Sequence, residues 1–272
     1  MSTTTDIAPR RRAAEGPMRE RARTAGVLYL LTFVSIPTLA LYGPLKDHVG
    51  TFILGGGSST GVVWGAASEV VVGLAGVGTA VVLLPVLRRQ NESAAFGLVT
   101  ARVVETSLIF VGVISVLSIL TLRTDVAGTA GADRGALVTT GHGLVAVYNS
   151  TFLLSQSLMP VVCDLLLGYL LYRSRLVPRI FPLVAFVGAP LLLASDIAIF
   201  FGAYDNVSPL AGLAALPVAA FEFGLGVWLV VKGFDPSSPL FLDGPGAPAR
   251  AASFDVPAQR QTPPAAPVRP GV

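Results

Sequence analysis

The chain has 272 residues, 53% of them hydrophobic and only 13% charged, with a mean hydropathy of +0.70, about half the charge of an ordinary soluble domain. One soluble core cannot hide that much apolar surface, and the single cysteine, Cys163, excludes a disulfide framework or a CxxC metal or redox site. A net charge of +3 does not mark a nucleic-acid binder, because the basic residues flank apolar runs and do not form one stripe.

Residues 1–23 carry six arginines among polar residues and are expected to form a disordered basic arm. Six apolar runs follow: Ala25 to Leu45, Val62 to Leu87, Ala94 to Leu122, Gly143 to Tyr172, Pro178 to Phe201 and Val207 to Val231. A hydrocarbon core of about 30 Å takes about twenty helical residues, so the predicted fold is all-α, a polytopic bundle of six transmembrane helices over residues 24–231. The first run is longer than a signal-peptide core, no convincing cleavage site follows it, and it reads as an uncleaved helix kinked at Pro37. Gly55, Gly56, Gly57, Ser58, Ser59 and Thr60 are glycine-rich but lack the Gly-Lys-Ser/Thr ending of a phosphate-binding loop, and read as a flexible linker. From Lys232 the composition turns to Pro, Ala and Gly, and residues 232–272 are expected to form a disordered tail.

Lys and Arg fall unevenly on alternate sides of these runs. The arm, the second and fourth loops and the tail hold fifteen; the first, third and fifth loops hold only Lys46, Arg123 and Arg134. By the positive-inside rule both termini are cytoplasmic.

Six ionisable residues lie within the runs: Glu69, Arg102, Glu105, Asp164, Asp196 and Glu222. Each costs about 2.5–3.5 kcal/mol to insert, so those retained face protein or water and are functional candidates. Arg102 and Glu105 are three apart on one helical face, placed for a charge-assisted pair. Arg102, Asp164 and Glu222 lie about 12, 12 and 15 Å from the inner ends of their helices at 1.5 Å per residue, so an inner-half site of Arg102, Glu105, Asp164 and Glu222 is expected. If Glu105 neutralises Arg102, Asp164 and Glu222 must be protonated, solvated or bound to a cation; the alternative is an inert hydrogen-bonded knot that fixes helix register. Asp196 falls near the outer end of its run and reads as solvated, whereas Glu69 lies deeper with no evident basic partner.

His142, Asn149, Gln156 and Asp164 recur at steps of seven, seven and eight residues, one polar stripe on an apolar helix that must face the bundle interior or a water-filled cavity. Pro160 on the same helix is placed to open the backbone near Gln156. Interhelical hydrogen bonding is the plainer reading of that stripe. Gly61 and Gly65 form a GxxxG pair, and Gly73, Gly76, Gly78, Gly224 and Gly226 offer further close-approach surfaces. There is no HExxH and no GxSxG, and His48 and His142 lack ligand spacing, so the sequence implies neither a catalytic constellation, a metal site nor a cofactor.

Three stretches carry a family resemblance: Ala22-Arg23-Thr24-Ala25-Gly26-Val27-Leu28-Tyr29-Leu30, Ala101-Arg102-Val103-Val104-Glu105, and Leu167 to Arg179 with its Tyr-Arg-Ser-Arg-Leu-Val-Pro-Arg ending. Over roughly Ala22 to Lys232 the chain resembles the bacterial multi-pass membrane protein family known only as domain of unknown function 4386. The resemblance implies a six-helix bundle in the bacterial cytoplasmic (inner) membrane, with Arg102 and Glu105 as the recurring polar pair, and no activity. Beyond the lipid bilayer, two readings of partners follow. One is a small solute or cation bound or translocated at the inner-half site; the other is a non-catalytic subunit or regulator packing through its glycines on a membrane protein partner or a second copy. A lipid-directed enzyme using Asp164 or Glu222 as base ranks behind both, for want of a nucleophile.

Overall fold

The computed structural model describes residues 7–242, which are all-helical, with no strand among them. The tail from Asp243 onward and the arm over residues 1–6, both expected to be disordered, lie outside the described residues. Helix α1 (Ile7–Thr32) is followed by a 3-10 turn (Phe33–Ser35) and three short helices, α2 (Thr38–Leu41), α3 (Gly43–Asp47) and α4 (Val49–Ile53). Long helices come next: α5 (Thr60–Leu87), α6 (Glu92–Thr121), α7 (Arg134–Leu153), α8 (Met159–Ser174), α9 (Ile180–Phe200) and α10 (Pro209–Val231), then a last turn, α11 (Pro239–Leu242).

Five helical stretches among these residues are long and apolar enough to cross a membrane: Thr60–Leu87, Glu92–Asp125, Arg134–Ser174, Ile180–Phe200 and Pro209–Val231. Their outward surface is apolar too, with Trp64 66%, Leu74 60%, Val187 68% and Leu213 66% exposed, while Arg102 and Asp164 are buried. Apolar side chains outside and charges inside is the arrangement of a membrane protein.

The first apolar run departs from the expected single kinked helix. Pro37 has no N–H to give to the carbonyl four residues back, at Phe33, and its ring crowds that carbonyl. The α-helix accordingly ends at Thr32, tightens into the 3-10 turn and restarts at Thr38. Residues 7–23, expected as an irregular arm, continue α1 as helix. The fourth run also differs: its helix starts at Arg134, where the Asp133 carboxylate accepts from the N–H groups of Gly135 and Ala136, and not at Gly143. It passes through one π turn, Leu154–Leu158, directly before Pro160. The wide turn accommodates a proline ring whose missing N–H would otherwise break the ladder.

Two large hydrophobic cores fill the bundle, with a small third cluster of Val161, Ala189, Leu192 and Val218 between α8, α9 and α10. One, at the end where α5 finishes, gathers Ala25, Tyr29, Leu83, Leu98, Leu167 and Leu225; the other, at the opposite end, gathers Tyr42, Phe52, Val62, Val116, Ile119 and Tyr148. The first stretch of the expected tail belongs to the bundle: Asp235 donates its N–H to the Leu176 carbonyl (2.8 Å) and Ser238 Oγ donates to the Ser174 carbonyl (2.6 Å). The Ser237 N–H and hydroxyl both donate to Asp235 Oδ1 and hold that carboxyl below its usual pKa.

The glycine-rich loop is pinned, contrary to its reading as a flexible linker. Arg123 donates to the carbonyls of Phe52, Gly55, Gly56 and Gly57 at 2.6–3.1 Å and stacks over the Phe52 ring. Carbonyls of successive residues converge on one guanidinium because Gly55 and Gly57 adopt positive φ (101° and 69°), which side chains with a Cβ disfavour.

Glycines are also where the backbones come closest. A Cβ on Gly26 of α1 would fall 2.7 Å from the Gly226 carbonyl of α10, and one on Gly65 would fall 2.5 Å from the Tyr42 ring. Gly61 meets Leu41 in the same way, so the GxxxG pair packs against the chain's own α2 segment. Gly65→Leu is expected to cost about 1–3 kcal/mol by overpacking, read as a lower unfolding midpoint in detergent. Gly212→Ala, where a Cβ meets nothing within 4 Å, should leave the midpoint unchanged or slightly raised.

Candidate functional site

Between the two apolar cores lies a polar layer at mid-depth. Arg102 on α6 is 5% exposed and takes the central position. Its Nη1 donates to both oxygens of Glu105 at 3.0 Å, one turn on along the same helix, and its Nη2 donates to Glu222 Oε1 of α10 and to the Tyr29 hydroxyl of α1, each at 3.0 Å. The Cys163 thiol of α8 completes the ring with a 3.4 Å bond to Glu105 Oε2. Four helices are thereby tied to one guanidinium–carboxylate knot.

Asp164 is fully buried with its carboxyl against that of Glu222, and no N–H or O–H group donates to either of its oxygens. Three carboxyls therefore surround one guanidinium. A cavity of about 150 Å³ opens against this centre between the broken end of α1, α5, α6, the π turn and α10, lined by Arg102, Glu105, Glu222, Thr106, Gln156 and Phe33. It has room for a few waters or a benzene-sized guest. Gly73 and Gly76, near the middle of α5, line it; a Cβ on Gly73 would fall 2.9 Å from the Thr106 methyl and one on Gly76 3.8 Å from Arg102 Cδ.

Glu69 of α5 belongs to a second network. It is 1% exposed, and three neutral groups donate to it: Tyr148 Oη to Oε1 at 2.7 Å, Gln156 Nε2 to Oε1 at 3.1 Å and Tyr42 Oη to Oε2 at 3.1 Å. Above Tyr148 lies Lys46, its ammonium 5.5 Å from the ring centroid and 5.7 Å from that of Phe152. Burial pushes the Lys46 ammonium below its ordinary pKa, with the Asp47 and Glu69 carboxyls pulling it back. Gln156 is common to both networks, giving its amide to Glu69 while lining the cavity.

The expected polar stripe is thus divided. Gln156 and Asp164 reach the polar layer, but His142 is exposed, and Asn149 takes part in neither network: its carbonyl accepts from Asn206 at 3.3 Å while its own Oδ1 is unpartnered. The π turn at Leu154–Leu158, with its i→i+5 bonds, rotates less per residue than an α-helix and so breaks the uniform count that joined the four positions. Asp196, expected to be solvated, is 4% exposed and accepts a short hydrogen bond from Ser157, because the π turn packs against α9 and covers it. Tyr29, Tyr42 and Tyr148 went unnoticed in the sequence; a tyrosine inside an apolar run, whose hydroxyl needs a partner when buried, was the available signal.

Replacing Arg102 by Met leaves buried carboxyls uncompensated and is expected to cost about 3–5 kcal/mol, measured by denaturant unfolding in micelles. Glu105→Gln retains an acceptor for the guanidinium and should cost less.

No curated protein and no solved structure matches this chain. The family model for a domain of unknown function, DUF4386, matches residues 24–233, a region running from α1 to the end of α10 and containing the whole polar layer. This chain belongs to the DUF4386 family.

Proposed function

We propose that the protein binds a small monovalent cation, a proton or a compact protonated amine, at the mid-depth centre of Arg102, Glu105, Asp164 and Glu222, either to hold it or to pass it on. The observation that carries this reading is the charge imbalance: one guanidinium faces three carboxyls, and the fully buried Asp164 has no donor of its own. A buried carboxylate without a partner is costly, and a proton or cation removes that cost. Among the described residues no three His, Cys, Asp or Glu side chains group at metal-ligand spacing, which favours a singly charged guest over a multivalent metal.

The bundle that carries this site crosses the membrane six times in our reading, the first crossing being the interrupted one. A Cβ on Gly78 would touch Leu28 at 3.2 Å and one on Gly61 would touch Leu41 at 3.5 Å, so the segment runs antiparallel to α5 over seventeen residues, about 26 Å of helix. That nearly matches the hydrocarbon thickness. Gly233 lies against Ala22 and Arg19, which brings the two ends of the bundle to one face. Fifteen basic residues on that side against three on the other favour a cytoplasmic location for both termini, in a bacterial inner membrane. A subunit role resting on the GxxxG pair has less to support it, since Gly61 and Gly65 are covered internally.

The test is a thermal-unfolding screen of the detergent-solubilised protein against ammonium, small alkylamines, Na⁺, K⁺ and anions at several pH values, beside Glu222→Gln and Asp164→Asn. Stabilisation by an amine, or by acidification, that disappears in both variants is expected. At a hundredfold excess over Kd it amounts to about 2.7 kcal/mol. A wild type indifferent to every cation and to pH, melting like both variants, contradicts the reading.

A further inference from the structure

Glu69 and Asp196 are the two buried carboxyls among the described residues that the Arg102 centre leaves out, and of the two only Glu69 shares a neighbour with the cavity wall, in surroundings that differ in kind. No cation touches it; its partners are two phenols and an amide, with Lys46 reaching it only across the Tyr148 ring. All three contacts point hydrogens at its oxygens, a pattern that suits a carboxylate. Yet the site is 1% exposed, lies in a span and holds no compensating charge in contact. A proton resolves the conflict at small geometric cost, because a tyrosine hydroxyl can turn from donor to acceptor without moving a heavy atom.

The second half of the observation is Gln156. Its one amide group is bound to Glu69 while the residue forms part of the cavity wall with Arg102, Glu105 and Glu222. The π turn at Leu154–Leu158 puts it there, and turns of this kind recur at functional sites. A change of charge at Glu69 alters the pull on that amide, and the wall of the cavity with it.

We propose that Glu69 is a second proton-binding site, reciprocally coupled to the Arg102–Glu222 centre through Gln156 and the cavity. The inference rests on the reading of that centre as a site of cation or proton uptake and adds a distinct site to it. In chemical terms a hydronium ion of the aqueous phase gives up one O–H bond and becomes water, its proton forms the O–H bond of a neutral Glu69 carboxylic acid, and Tyr42 or Tyr148 rotates its hydroxyl to accept from it. The charged and titratable groups facing Glu69 are Tyr42, Tyr148 and, beyond them, Lys46. Because coupling is a free energy shared by both sites, protonating either shifts the other by the same amount.

The experiment is pH-titrated infrared difference spectroscopy of the full chain in lipid vesicles, following the C=O bands of protonated carboxyls in the wild type, Glu69→Gln, Asp164→Asn and Gln156→Leu. Glu69→Gln, whose one amide oxygen keeps an acceptor for Tyr148 while its NH2 faces the Tyr42 hydroxyl oxygen, should delete one band and move the midpoint of the Asp164 band. Asp164→Asn should delete that second band and move the Glu69 midpoint equally, by on the order of one pH unit for strong coupling. Gln156→Leu should keep both bands and shrink both shifts. A Glu69→Gln spectrum identical to the wild type overturns the second site. Loss of the Glu69 band with the Asp164 midpoint unmoved overturns the coupling while leaving the proposed centre standing. An Asp164→Asn spectrum that loses no band contradicts the centre itself, and the coupling falls with it. Gel-filtration profiles matching the wild type establish that each variant is folded.

Discussion

A guanidinium in the middle of an apolar bundle has few solutions. It is almost wholly withdrawn from bulk water, its proton is effectively never lost, and its donors form a rigid fork that must be matched by acceptors from several directions. In this protein the acceptors come from α1, α6 and α10, and the Cys163 contact brings α8 to the same knot. Every helix that supplies one must pass Arg102 at a fixed height and rotation. The knot thus does for the bundle what apolar packing alone does poorly in lipid, where nothing hydrophobic drives one helix toward another.

Close approach of the backbones follows from the same demand. Glutamate and tyrosine side chains reach a common arginine only if their helices lie near one another, and Gly26 against Gly226 lets α1 and α10 meet almost backbone to backbone. The two prolines work in the other direction. Pro37 stops α1 and Pro160 follows a widened turn, and between these two irregularities the polar layer acquires its cavity. Dense packing above and below, with an opening where the helices are broken, is a familiar way to place a polar site inside a membrane bundle. The cavity, the excess of carboxyls and the shared Gln156 are therefore consequences of one arrangement.

Much of this was legible in the sequence. Apolar runs of membrane length located all five long stretches, and the three-residue spacing of Arg102 and Glu105 placed the pair that the structure shows. Depth counting along separate helices brought Glu222 to Arg102, since antiparallel helices of similar length share their mid-plane. What escaped was whatever depends on deviation from an ideal helix. The break at Pro37 turned one run into several short helices, and the π turn interrupted the uniform count that put His142, Asn149, Gln156 and Asp164 on one stripe. Arg123 was counted as a loop charge, because four carbonyls converging on it require the positive φ of Gly55 and Gly57, which composition does not display. Asp196 was misjudged for a simpler reason: distance along a helix gives depth but says nothing of a neighbouring turn that covers the end.

The account stands or falls on the interaction between Arg102 and Glu222 across two helices. A double-mutant cycle with Arg102→Met, Glu222→Gln and the pair, each unfolded by denaturant in the same micelles, measures it without reference to any ligand. Removing both partners should be less damaging than the sum of the single changes, with a coupling energy of about 2 kcal/mol or more, since the double variant no longer buries an unanswered charge. Single effects that add to within about 0.5 kcal/mol would mean that the two side chains do not meet in the membrane, and that the polar layer is not the centre of this fold.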